Sequence, residues 1–159
     1  MNKQFYLDNS ATTMPCKKAI ENINNALNTN WGNPSSLHIM GVNAEIELDD
    51  ARRVVAKSIG TSADEIFFTS GGTESNNLSI FGAVSARKKR GNRIVTTTIE
   101  HPSVLEPIKS LESQGFEVIY LTPDENGVIS EKDIVDAIND KTIFVSIMLV
   151  NNEIGSIQP

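Results

Sequence analysis

The sequence predicts an α/β fold with three layers, a largely parallel sheet carrying helices on both faces. Short β-prone runs alternate with helical patterns along the chain. The later runs are apolar enough to be buried on both faces. The segments between runs are long enough for helical crossovers, which parallel neighbours require.

Residues 5–7 form the first β-prone run. A helix then starts near Pro15, with Thr13 close to its cap, and Ala19, Ile20, Ile23, Ala26 and Leu27 fall on one face. Trp31-Gly32-Asn33-Pro34 ends it. A second helix within 44–59 carries Ile46, Leu48, Ala51, Val54 and Val55 and stops at Gly60, which permits a left-handed cap. A second run at 65–69 leads into a third helix over 74–90, with Leu78, Ile80, Phe81, Ala83 and Val84 spread around it. Its terminal Arg87-Lys88-Lys89-Arg90-Gly91 reads as a solvated end, because cations complement the negative pole of the helix and glycine supplies the stop. After a run at 93–97, a fourth helix begins at Pro102 or Ser103 and closes before Gly115. A run at 116–121 follows, then a fifth helix announced by Ser130 with Asp133 three residues later, a variant capping box. The last run is 142–150, and the order sums to βαβαβαβ.

Among 159 residues, 14 Lys and Arg face 20 Asp and Glu, a net charge of -6 that disfavours nucleic acid as a partner. Hydrophobic residues at 39% and charged residues at 21% describe a folding chain, and no apolar run reaches the roughly 18 residues of a membrane span. A lone Cys16 excludes an internal disulfide or a cysteine-rich zinc site, and two histidines far apart form no metal pair, so no metal is expected. The N-terminus lacks the apolar stretch of a secretory signal, which makes the cytoplasm the expected compartment.

In a parallel sheet, ligands sit beyond the carboxyl ends of the strands. That rule selects three loops: 70–73, 98–101 and 151–155. In Phe67-Phe68-Thr69-Ser70-Gly71-Gly72-Thr73-Glu74-Ser75, a strand meets two glycines and then a helix start. Such a turn lets backbone N–H groups approach an anion, and the hydroxyl of Thr73 favours a phosphate there. It is neither a Walker loop nor a dinucleotide fingerprint. A turn that needs glycine only for steric reasons explains the segment as well. His101, just before the fourth helix, could stack on a planar cofactor and exchange protons near neutral pH; a surface or capping histidine is the plainer alternative. His38 is read as structural or interfacial. Asn151-Asn152-Glu153 could position a hydroxyl or carboxylate, against the plainer reading of a turn whose asparagines bond their own backbone.

Five blocks of the chain together resemble the cysteine desulfurase branch of the class V aminotransferase family, whose members use pyridoxal 5'-phosphate. They are Tyr6-Leu7-Asp8-Asn9-Ser10-Ala11-Thr12-Thr13, Gly32-Asn33-Pro34-Ser35-Ser36, Phe68 through Asn77, Glu100-His101, and Val145-Ser146-Ile147-Met148 leading to Val150-Asn151-Asn152-Glu153-Ile154-Gly155. The resemblance implies that Gly72 and Thr73 hold the cofactor phosphate and that His101 stacks on the ring and assists proton transfer. It implies that Asn152 lies near the phenolic oxygen and substrate carboxylate, and that residues 1–15 form a segment near the substrate. Residues 16–159 would be the first part of the cofactor-binding large domain. The implied reaction moves sulfur from L-cysteine to an enzyme thiol, leaving L-alanine, for iron–sulfur cluster or thio-cofactor assembly. The implied partners are a second copy in a homodimer and a sulfur-acceptor protein.

That chemistry also needs a lysine to hold the aldehyde, an acid beside the pyridine nitrogen, and an activated thiolate. The family places these beyond the Asn-Asn-Glu-Ile-Gly strand. The chain is therefore expected to be an N-terminal portion, less than half of the family's length and inactive alone. Cys16 is not at the family's sulfur-accepting position, and Lys88 and Lys89 belong to a solvated helix end. The alternatives are a non-catalytic remnant that binds or complements another chain, and another class V enzyme such as a selenocysteine lyase.

Overall fold

The structure, a computed structural model, describes residues 5–159. The chain divides into two compact units, Met1–Phe68 and Thr69–Pro159. The segment 1–15 singled out in the sequence falls within the first unit, and its residues 1–4 lie outside the described residues.

The first unit is helical. Helix α1 spans Lys17–Thr29 and follows Cys16, whose side chain makes no capping bond. Helix α2 spans Ile39–Ile59, starting five residues before the expected 44 because His38 caps it, Nδ1 accepting from the Gly41 N–H at 3.4 Å. Gly41 also admits the preceding loop: a Cβ there would lie 2.2 Å from the Ser36 carbonyl oxygen. Gly60 ends α2 in the left-handed conformation, φ 74°, as the sequence predicts.

Two expected strands are absent from this unit. Residues 5–7 have no ladder; instead the Tyr6 hydroxyl donates to the Asp8 carbonyl at 2.8 Å and to the Thr12 carbonyl at 3.1 Å. At 65–69 a single 3-10 turn, Ala63–Glu65, is closed by a capping box between Ser62 and Glu65. Ile66 beyond it has extended backbone, but its carbonyl accepts from Arg52 Nε at 3.2 Å rather than from a strand. Extended residues become a strand only where a neighbour supplies the ladder, and neither run belongs to a strand of the structure.

The second unit holds the sheet. Strands β1 (Arg93–Thr97), β2 (Glu117–Leu121) and β3 (Thr142–Val145) lie in the order β2-β1-β3, both pairs parallel. Helices α3 (Gly72–Arg87), α4 (Pro102–Ser113) and α5 (Glu131–Ala137) complete it. Alternation along β1 separates two cores. Ile94 packs with Ile80 and Val84 of α3 and with Val104, Ile108 and Leu111 of α4. Val95, on the other face, packs with Leu121, Ile129 and Ala137, the last from α5. Helices therefore cover both faces of a parallel sheet, the three layers that the sequence predicts. Ile94, Ile108 and Ile129 are essentially inaccessible, and each contributes about 1.5–3 kcal/mol by leaving water.

Strand β3 is shorter than the expected 142–150. Its ladder continues as far as the Ser146 N–H, which donates to the Val95 carbonyl at 2.9 Å. The Met148 N–H then turns to the Glu100 carboxylate, and Val150 makes only an isolated antiparallel bridge with Ile157.

Candidate cofactor-binding site

The loop that enters α3 is tied by its own side chains. Thr69 Oγ1 pairs with Ser75 Oγ at 2.6 Å and donates to the Gly71 carbonyl at 3.1 Å. The Ser70 N–H and hydroxyl both donate to Glu74 Oε2, at 2.7 and 2.6 Å, and these two bonds hold the Glu74 carboxyl below its ordinary value. Asn76 Nδ2 donates to Ser103 Oγ, and Asn77 Nδ2 to the Thr73 carbonyl. Between Thr69 and Asn77, Thr73 is the polar side chain left without a partner among the described residues.

The backbone gives a parallel result. The first N–H groups of a helix lack intrahelical acceptors, and among the described residues nothing accepts from Gly72, Thr73 or Glu74. Gly71, the N-cap, is extended, a conformation open to any residue. A Cβ at either Gly71 or Gly72 would meet no atom within 4 Å. Gly32 is a contrast, since a Cβ there would sit 2.3 Å from the Met40 carbonyl oxygen. Packing within the chain accounts for glycine at 32, and it does not by itself call for glycine at 71 and 72. The open space, the unpartnered N–H groups and the free Thr73 hydroxyl together fit a phosphate.

His101 is the N-cap of α4, and Pro102 follows at the first helical position, where its missing N–H is not needed. The ring Nδ1 accepts from the Ser103 N–H at 3.0 Å and lies 2.7 Å from Ser103 Oγ. The plainer reading of a capping histidine is therefore correct, and it is compatible with a second role: Nε2 has no partner among the described residues. Thr73 and His101 line one open groove of about 510 Å³ together with Asn77, Phe81, Ser103 and Glu106.

Asn152 is not on the walls of that groove. It is exposed, and its Nδ2 donates to Glu153 Oε1 at 3.1 Å. Its neighbour Asn151 is the buried amide: Nδ2 donates to the Ile99 carbonyl at 3.0 Å, and Oδ1 accepts from the N–H groups of Glu153 at 2.8 Å and Ile154 at 3.1 Å. Glu100 makes a second tie between these loops, accepting from the Met148 N–H at 2.6 Å. Burial pushes the Glu100 carboxyl above its ordinary value, and the Met148 bond offsets part of that rise. The structure thus joins the loops at the ends of β1 and β3 through Glu100 and Asn151. Both stand in blocks the sequence singled out, without this tie being assigned to them, and the Oδ1 bonds of Asn151 are those of the plainer reading, a turn whose asparagine bonds the nearby backbone. Ser103, named in the sequence only as a possible helix start, holds the His101 ring; its spacing, two residues after His101 at a helix start, was the available signal.

The sequence pattern of the aminotransferase class-V family matches residues 5–159. A cysteine desulfurase IscS of Clostridium botulinum is 46% identical over 159 residues, covering all of this chain and 40% of that protein. A solved NifS-like protein superposes with a TM-score of 0.91 at 41% identity, over 96% of this chain and 42% of its own. A structure described as SspA in complex with cysteine gives a TM-score of 0.88 at 38% identity, over 97% of this chain and 44% of its own. The chain spans about two fifths of the length of the curated relatives it matches.

Proposed function

Because the chain belongs to the aminotransferase class-V family, we propose that residues 1–159 supply the phosphate-holding and ring-facing part of a pyridoxal 5'-phosphate site in a cysteine desulfurase. The observation that carries this reading is the start of α3, where Gly72, Thr73 and their unpartnered N–H groups stand open. Those N–H groups and the Thr73 hydroxyl would bind the phosphate. His101, on the wall of the same groove, would face the ring. Asn152, at the end of the loop tied to the His101 loop, would contact the phenolic oxygen and the substrate carboxylate.

Bound there, the cofactor would supply the electron-withdrawing ring on which the carbon–sulfur bond of L-cysteine is weakened. The products would be L-alanine and an enzyme-bound sulfur, delivered to an acceptor protein in iron–sulfur cluster assembly. The working form would be a cytoplasmic homodimer. Among the described residues no lysine lines the groove, so the lysine that holds the aldehyde would come from outside its walls.

The test is made on the protein at the length of its relatives. It is expected to release L-alanine from L-cysteine in the presence of pyridoxal 5'-phosphate. Thr73→Val removes one hydrogen bond to a charged group, which is worth about 1.5–3 kcal/mol, so cofactor affinity is expected to fall roughly 10- to 140-fold. Absence of alanine, or a Thr73→Val protein that binds the cofactor as tightly as wild type, contradicts the proposal.

A further inference from the structure

We propose that Asn76 and Ser103 are positioning residues that hold the His101 ring as its Nε2–H tautomer, so that His101 offers the groove a hydrogen-bond donor rather than a proton acceptor. The role of that donor in the reaction rests on the function proposed above; the tautomer itself does not.

A backbone N–H can only donate. The Ser103 N–H lies 3.0 Å from His101 Nδ1, so Nδ1 must present its lone pair, and the proton of a neutral ring sits on Nε2. Ser103 Oγ, 2.7 Å from the same nitrogen, adds a second donor. The hydroxyl is free to point that way because its oxygen accepts from Asn76 Nδ2 at 2.8 Å. The order of donation runs from Asn76 in α3 to Ser103 in α4 and on to the ring. Ser103 is buried and Asn76 half-buried, whereas His101 is exposed on the groove wall. For Nε2 to act as a base, the ring would first have to move its proton to Nδ1. That N–H would then oppose the Ser103 N–H, and the α4 cap would break. The ligand atom that fits Nε2 is therefore an acceptor, such as a carboxylate, phenolate or phosphate oxygen.

The chain has two histidines, which makes the test direct. His38 is also an N-cap, but its Nδ1 lies 3.4 Å from the Gly41 N–H and pairs with no hydroxyl among the described residues. Two-bond proton–nitrogen NMR spectra of the 159-residue chain, recorded without cofactor at a pH where imidazoles are neutral, resolve the two rings, and His38→Asn assigns them. The expected result is an unprotonated-type shift at His101 Nδ1, a protonated-type shift at Nε2, and shifts nearer the exchange average for His38. Ser103→Ala and, independently, Asn76→Ala should move the His101 shifts part of the way toward that average, since the backbone N–H at 103 remains while the hydroxyl donor is lost or loses its orienting partner, and Ser103→Thr should restore them. A protonated-type Nδ1 in the wild type overturns the proposal. So do His101 shifts unchanged by Ser103→Ala or Asn76→Ala in folded protein. If Ser103→Ala fails to fold, Asn76→Ala decides alone. Because no cofactor is present, failure of the proposed enzymatic function leaves this result unaffected.

Discussion

Asn151 and Asn152 carry identical side chains in different surroundings. Asn151 is 5% exposed and spends its amide on the Ile99 carbonyl and on the N–H groups of Glu153 and Ile154, while Asn152 is exposed with Glu153 as its side-chain partner. Asn151→Ala removes these part-buried bonds and is expected to destabilise the fold by about 1–3 kcal/mol. Asn152→Ala should leave stability within about 0.5 kcal/mol, so chemical denaturation separates them. Glu100 supplies a pH test. Burial raises its carboxyl above 4.5, so the folded state binds the proton more tightly than the unfolded state. The stability it contributes is complete below 4.5 and is lost as pH rises through the folded-state value. Glu100→Gln keeps an acceptor for the Met148 N–H without the charge, and its stability relative to wild type should increase as pH rises above 4.5. A constant difference across that range contradicts this account. The sequence showed that a phosphate, a ring and an amide could meet at three loops. It did not show which amide is buried or that Glu100 is, because those outcomes depend on contacts such as Asn151 with Ile99, 52 residues apart.

Elements were legible where periodicity and caps acted locally. Strand β1 matches its expected run, and α4 starts at Pro102 as read. The two N-terminal runs are β-prone without becoming strands, because β-propensity describes fitness for a neighbour that has to be present. The capping box expected at Ser130 and Asp133 is half made: Ser130 Oγ accepts from the Asp133 N–H. The complete box is at Ser62 and Glu65, ahead of a turn rather than a long helix. Hydrogen bonds from the Thr61 hydroxyl and from the Ser62 N–H and hydroxyl hold Glu65 at about 2, against an ordinary 4.5. A depressed carboxyl stabilises the fold above its unfolded-state value and loses that contribution as pH falls through the folded-state value. Wild type should therefore exceed Glu65→Ala in thermal stability at neutral pH, and the gap should close between pH 4.5 and about 2. A gap that persists at the acid end contradicts the capping role.

At the scale of the molecule, the second unit builds a core on each sheet face, while α1 buries none of its residues. Ile20, Ile23 and Leu27, read from the sequence as one apolar face, are 42%, 56% and 67% exposed. Periodicity correctly placed them on a helix, but it carries no information about what covers the stripe. The proposed site lies at the carboxyl end of the sheet, where the starts of α3 and α4 share a groove. The central claim is that the start of α3 binds a phosphate ester through Gly72 and Thr73. The most direct measurement follows the backbone amide resonances of the 159-residue chain during titration with pyridoxal 5'-phosphate, with unphosphorylated pyridoxal as control. Saturable shifts centred on Gly72, Thr73 and Glu74 that the phosphate ester produces and pyridoxal does not are the predicted result. Shifts of equal size from both compounds, or none at those three amides, would contradict it.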